Sequence, residues 1–297
     1  MKKTVFTGVG TALITPFDKN EKVDFEAMGK IIDWQIEEGV DALIICGTTG
    51  EKSTLESEEH KRVLEFAVEK IAGRVPCIAG TGSNDTAHGI EMTKHACKIG
   101  CDAVLLVTPY YNKATQGGLI KSFYKFADAS TKPVILYNVP SRTGVNITPA
   151  TAEKLAEHEN IAGLKEASGD IAQIVEIAQR TQGKLDIYSG NDDHIVPVLS
   201  VGGKGVISVL SNVMPKETTD ICKLFFEGKI KESYELQFKL LPLIKQLFCE
   251  VNPIPVKAAM ANMGLCENVL RLPLTQMEEA NEQKLISIMK DLGIALK

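Results

Sequence analysis

Eight short apolar runs, each handing over to a polar loop and most of them then to an amphipathic stretch, constrain this chain more than any other feature. They are TALITP, DALIICG, PCIAG, AVLLVTP, PVILYNV, IAGLK, LDIYSG and GVISV. Runs this continuously apolar suit strands covered on both faces, and their alternation with helix-length segments such as 57–72, 84–99 and 170–180 points to a parallel sheet. Helix starts are marked by chemistry. Glu58 and Glu59 lie in a positively polarised first turn, Thr148–Pro149 is a cap followed by proline, and Asp170 with Gln173 has capping-box spacing. Eight such units in about 225 residues fit a closed barrel better than an open doubly wound sheet. From 229 onward, LQFKLLPLIKQLF and NEQKLISIMKDLGIAL repeat apolar residues at three- and four-residue intervals without further strands. The expected fold is therefore α/β: a (β/α)8 TIM barrel over 1–228 and a C-terminal helical appendage over 229–297.

Composition narrows the class of partner. A formal charge of -5 gives no electrostatic reason to expect nucleic acid or an anionic membrane. No apolar stretch reaches the eighteen or so residues needed to cross a bilayer. The opening MKKTVFTGVG imitates a signal peptide, but Gly8 and Gly10 interrupt it and Pro16 and Asp18 follow, so a first strand is expected there. Seven cysteines, mostly inside apolar runs, are the usage of a reducing compartment, and the chain is expected to be cytoplasmic. His95, Cys97 and Cys101 lack paired CxxC spacing and read as helix and strand residues, not a zinc site.

In a barrel of this kind chemistry sits where strands end. Those ends are GTTGE, GTG, TPYYN, YNVPSRTG, KEASG, SGNDD and ISVLSN, so hydroxyls, two adjacent tyrosines, one arginine and one lysine meet on one rim. GTTGEKS lacks the GK[ST] ending of a phosphate loop, and neither GxSxG nor HExxH occurs. The lysine is the unusual member. Alternation along IAGLK turns Ile161, Gly163 and Lys165 to the barrel interior, with Gly163 leaving room beneath the lysine. An ordinary lysine is neutral about once in ~2500 molecules at pH 7, whereas burial lowers its pKa and releases a nucleophilic amine able to form a Schiff base with a ketone. Taken alone, Lys165 is a side chain snorkelling to solvent, Tyr137 a packing aromatic and Arg142 half of a surface ion pair. Taken together with Thr48 and Thr49, they read as a nucleophile, a proton carrier and a bidentate carboxylate holder.

GTTGE, TPYYN, YNVPSRTG and GLKEASGD, in this order, resemble the dihydrodipicolinate synthase family of pyruvate-dependent, Schiff-base-forming aldolases, whose superfamily also holds N-acetylneuraminate lyase. The resemblance extends through SGNDD, GVISV and VNPIPVKAAM. It implies condensation of pyruvate with L-aspartate semialdehyde on the route to diaminopimelate and lysine. Lys165 would form the imine, and Tyr137, Thr48 and Tyr111 would relay protons, Tyr111 being lent by a neighbouring subunit across a tight dimer interface, with a dimer of dimers expected. Thr49 and Arg142 would hold carboxylates, and Gly190 and Ile207 would line the pocket. No organic cofactor and no metal is expected. GTTGE in place of GSTGE, and the arginine of YNVPSRTG, favour the synthase over a sialic acid lyase or a keto-deoxy-sugar-acid aldolase; Asn191 departs from the family pattern. A non-catalytic metabolite-binding barrel is the reading from another class. The resemblance also implies a degenerate lysine-feedback site at Lys52, Asn84, His88 and Tyr110, where Lys52 and His88 replace a small residue and a glutamate.

Overall fold

In the computed structural model, which describes residues 2–297, the eight runs close into one parallel barrel. The strands are β1 (Gly8–Ala12), β2 (Ala42–Ile45), β3 (Cys77–Gly80), β4 (Ala103–Val107), β5 (Val134–Asn138), β6 (Ile161–Glu166), β7 (Asp186–Ser189) and β8 (Gly205–Ser208). Each pairs with the next, and β8 returns to β1 through Gly8–Gly205 and Gly10–Ile207. The outer layer is α1 (Phe25–Glu37), α2 (Ser57–Ile71), α3 (Thr86–Ile99), α4 (Gln116–Ala129), α5 (Pro140–Thr143), α6 (Pro149–Leu155), α7 (Ile171–Thr181), α8 (Ile195–Ser200) and α9 (Pro215–Phe226). After it come α10 (Ile230–Gln246), α11 (Ile254–Asn262) and α12 (Glu279–Asp291). No helix among the described residues is long and apolar enough to cross a membrane.

Helix starts follow from side-chain chemistry. The carboxylates of Asp24 and Asp85 and the hydroxyls of Thr115 and Thr148 accept from first-turn N–H groups. Asp170 accepts from Gln173 N–H, but the Gln173 side chain turns to Asn146 and Glu166, so only half of the expected capping box forms. His95 faces Glu65 and Cys97 faces Ser130, and among the described residues no three such groups gather as a metal site.

Alternation along the strands makes two cores. Ile44, Ile78, Leu105, Ile135, Tyr188 and Ile207 fill the barrel, where the rings of Phe6 and Tyr188 stack at 4.4 Å. Leu43, Ile45, Val104, Leu106, Leu136 and Leu164 face the helices. Residues of the 229–297 segment, among them Leu240, Val256 and Met289, belong to that same outer core. The appendage is thus packed onto the barrel wall.

Two expectations are corrected here. β1 begins at Gly8, earlier than TALITP implies: beyond Ala12 the chain leaves the ladder, and Ile14 N–H is taken by the Asn212 side chain at 3.2 Å. Ile161 does not point inward. The register slips so that Val134 pairs with Ile161 but Ile135 with Gly163, and this extra residue sends Ile161 to the helix-facing core while Gly163 and Lys165 keep the interior side.

Closure of the barrel depends on a contact only glycine permits. A Cβ on Gly205 would stand 1.8 Å from Gly8 O, so Gly205→Ala is expected to cost about 3 kcal/mol in chemical denaturation. Gly117→Ala, on α4 with nothing within 4 Å of the added carbon, should be neutral or stabilise by up to ~1 kcal/mol.

Candidate active site

β5 and β6 run side by side with Tyr137 opposite Lys165, and both side chains turn into the open end of the barrel. Lys165 is only 5% exposed, and its Nζ stands over the Tyr137 ring at 4.3 Å from the centroid. Burial pulls the amine down to about 7, helped by the nearby Arg142 charge and opposed by Asp192. Burial also raises the Tyr137 phenol, against Arg142 and a hydrogen bond with Thr48. The site thus sets an amine shifted toward its neutral form next to a phenol held protonated.

The room around the lysine comes from a different glycine than expected. A Cβ on Gly163 would meet Asp186 O at 3.1 Å and the Tyr188 ring at 3.2 Å, so that position accommodates β7. A Cβ on Gly190 would meet Lys165 Cε at 3.2 Å and Ala167 Cβ at 2.6 Å. Gly190 is what leaves space for the lysine stem.

Two cavities adjoin here. One, of about 320 Å3, is lined by Lys165, Thr49, Tyr137, Arg142, Gly190, Asn191 and Val209, with Phe248, Glu250 and Asn252 from the segment before α11. The other, of about 210 Å3, is lined by Thr48, Lys52, Ser53, Tyr110, Tyr137 and Arg142. Tyr137 and Arg142 line both, so the phenol stands between the Lys165 side and the Thr48 side. Ile207 is fully buried in the barrel below.

Of the expected residues, Lys165, Tyr137, Thr48, Thr49, Arg142 and Gly190 are brought together. Tyr111 is not: it is 91% exposed at φ 70 and lines neither cavity. The degenerate site is only partly assembled. Lys52 and Tyr110 share the smaller cavity, and the Lys52 ammonium donates to Gly82 O. Burial pulls that amine down to about 8. Asn84 offers its backbone O to Asn112, and His88 lies in the first turn of α3. His60, not singled out in the sequence, is buried nearby; burial and Lys52 push it down to about 3.

Four supporting groups were also not anticipated. Asn252 Nδ2 donates to Thr49 Oγ1 at 3.0 Å, while its backbone O accepts from Arg142 at 3.1 Å. Asp192 is buried, its Oδ2 accepting from Val209 and Leu210 N–H. On the outer side of the strands, Asn138 Nδ2 donates to Glu166 Oε2 at 2.9 Å, and Glu166 Oε1 accepts from Ser168 N–H at 2.6 Å. Each sits beside a site residue in sequence, so this bond fixes Tyr137 against Lys165. Chemically, the arrangement offers a dehydrated amine, an adjacent phenol and a planar cation, a set suited to imine formation on a keto acid.

Residues 5–292 match the Dihydrodipicolinate synthetase family. The chain is 53% identical over 294 residues to a 4-hydroxy-tetrahydrodipicolinate synthase from Caldicellulosiruptor bescii, covering 99% of both chains. Among solved structures, a dihydrodipicolinate synthase from Aquifex aeolicus superposes with TM-score 0.96 at 45% identity, over 98% of this chain and 100% of that one. One from Acinetobacter baumannii, complexed with pyruvate, also superposes with TM-score 0.96, at 42% identity over 98% and 100% of the two chains.

The lowered amine has a measurable consequence. Only the unprotonated form is nucleophilic, and burial disfavours the ammonium, so labelling of Lys165 by an amine-reactive probe should rise with pH through about 7 and then level off. Peptide mass spectrometry across pH checks this; a rise centred near 10 would mean the site does not dehydrate the group.

Proposed function

From the premise that the chain belongs to the dihydrodipicolinate synthetase family, we propose that it condenses pyruvate with L-aspartate semialdehyde to give 4-hydroxy-tetrahydrodipicolinate. The observation that carries this reading is the 5% exposed Lys165 amine lying 4.3 Å from the Tyr137 ring centroid. The neutral amine adds to the keto carbon of pyruvate and water leaves, giving a protonated imine. That imine draws electrons from the methyl carbon, which loses a proton to the Tyr137–Thr48 relay, and the resulting enamine attacks the aldehyde carbon. The relay returns a proton to the new alkoxide. The amino group of the second substrate then adds to the imine carbon, closing the ring and releasing Lys165. Thr49 holds the pyruvate carboxylate, Arg142 holds a carboxylate at the mouth, and Gly190 shapes the pocket, with Ile207 buried beneath it.

The relay is completed by a second copy of the chain. In support, Tyr111 is extended into solvent on the loop that also carries Tyr110, and Tyr110 lines the cavity on the Thr48 side. The Tyr111 hydroxyl of a neighbouring subunit enters there. The dimer pairs again into a tetramer, for which the exposed Tyr234 and Phe238 on α10 offer an apolar face. The enzyme works in the cytoplasm, in keeping with cysteines that are all free thiols, most of them buried or half-buried. A long keto-acid sugar is the weaker alternative substrate: the relatives compared above carry the synthase name.

Borohydride reduction with pyruvate should leave a covalent adduct on Lys165 and none in Lys165→Ala, which should also lose turnover. Tyr137→Phe should lower kcat by about 100-fold. Activity with aspartate semialdehyde should far exceed that with N-acetylmannosamine; the reverse preference, or no adduct, sinks the assignment. Lysine should inhibit weakly or not at all, because Lys52 and His88 place cationic or basic groups where an ammonium ligand would bind; half-inhibition at sub-millimolar lysine would contradict this.

A further inference from the structure

Glu51 closes the GTTGE loop, and its side chain turns away from both cavities into the protein. It is 4% exposed and adopts φ 50, ψ 35, the left-handed region that costs a residue with a Cβ. Its Oε1 lies 2.5 Å from Nζ of Lys257 on α11, whose side chain is 0% exposed. Its Oε2 accepts from Arg271 N–H at 3.2 Å. Lys257 Nζ also donates to Val269 O at 2.8 Å and stands over the buried Phe17 ring at 4.0 Å, with the Arg271 guanidinium 4.3 Å from the same ring. A salt bridge this dry is poor at stabilising a fold, since a neutral pair of similar volume does as well or better. Its geometry therefore needs another account.

That account is in what the two residues are joined to. The Glu51 N–H donates to Thr48 O at 3.1 Å, so a shift of Glu51 moves the Thr48–Thr49 turn. Lys257 follows Asn252 on the same segment, and Asn252 grips Thr49 Oγ1 and Arg142. The loop is held at both ends by one stretch of chain, Asn252 at the cavity and Lys257 behind it. We infer that the Glu51–Lys257 ion pair is a positioning device, one that sets the Thr48 and Thr49 hydroxyls against Tyr137 and Lys165 without touching substrate. This rests on the roles given to Thr48 and Thr49 under the proposed function.

The test compares wild type with Glu51→Gln/Lys257→Met, in which no charge is left buried and unpaired. The double variant should melt within a few degrees of wild type and lose at least tenfold in kcat/KM for pyruvate, through both lower kcat and higher KM. Its pyruvate–borohydride adduct on Lys165 should still form with the wild-type pH midpoint, because Lys165 sits on β6, outside the tied loop. General loosening of the barrel would instead move that midpoint upward toward an ordinary lysine. Wild-type kcat and KM in the double variant would overturn the inference, as would a moved midpoint. Should that variant not fold, Lys257→Arg keeps the charge and changes its reach; it should fold with reduced kcat/KM, and unchanged kinetics would be equally fatal. Failure of wild type to trap pyruvate would count against the proposed function and not against the tether.

Discussion

Keeping an ammonium group away from water is expensive, and the site is organised around that cost. Among the described residues no carboxylate lies within salt-bridge distance of Lys165, although its buried neighbour Asp192 favours the charged form. The barrel lowers the cost by favouring the neutral amine: the strand wall buries the stem, an aromatic face covers the head and a guanidinium stands nearby. A carboxylate in contact would satisfy the charge and silence the amine. Asp192 spends one oxygen on two backbone N–H groups, which limits how strongly it calls the proton back.

Because Lys165 sits on a strand, its position is only as exact as the sheet. Tyr137 and Lys165 occupy one rung of the β5–β6 ladder, and the Asn138–Glu166 bond clamps the next rung from outside. Loops supply the remaining parts, and loops need tethers. Here they come largely from the C-terminal segment, where Asn252 holds Thr49 and Arg142 and Lys257 holds Glu51. A stretch that reads as an appendage in the sequence is therefore half of the scaffold of the site.

What was legible in the sequence was whatever a two-residue period and strand-end motifs encode. Lys165, Tyr137 and Arg142 lie at strand ends, and the eightfold rhythm placed those ends on one rim. Ile161 was misread because one extra residue in the ladder reverses a face, and nothing in IAGLK signals it. Gly163 was credited with the space that Gly190 provides, since lateral neighbours are unknown until register is set. Glu51 and Lys257 meet across most of the chain's length, beyond any periodic signal. Tyr111 could be placed on its loop, but no strand-end pattern signals its exposure to solvent.

The shared phenol wall has an evolutionary corollary. With Tyr137 and Arg142 belonging to two chambers at once, neither chamber can be reshaped from that side without disturbing the other. Change in pocket shape is thereby steered to the far bank, Asn191 and the 248–251 lip, which line the larger chamber and not the smaller. Asn191 stands on that bank, next in sequence to the Gly190 that leaves space for the lysine stem.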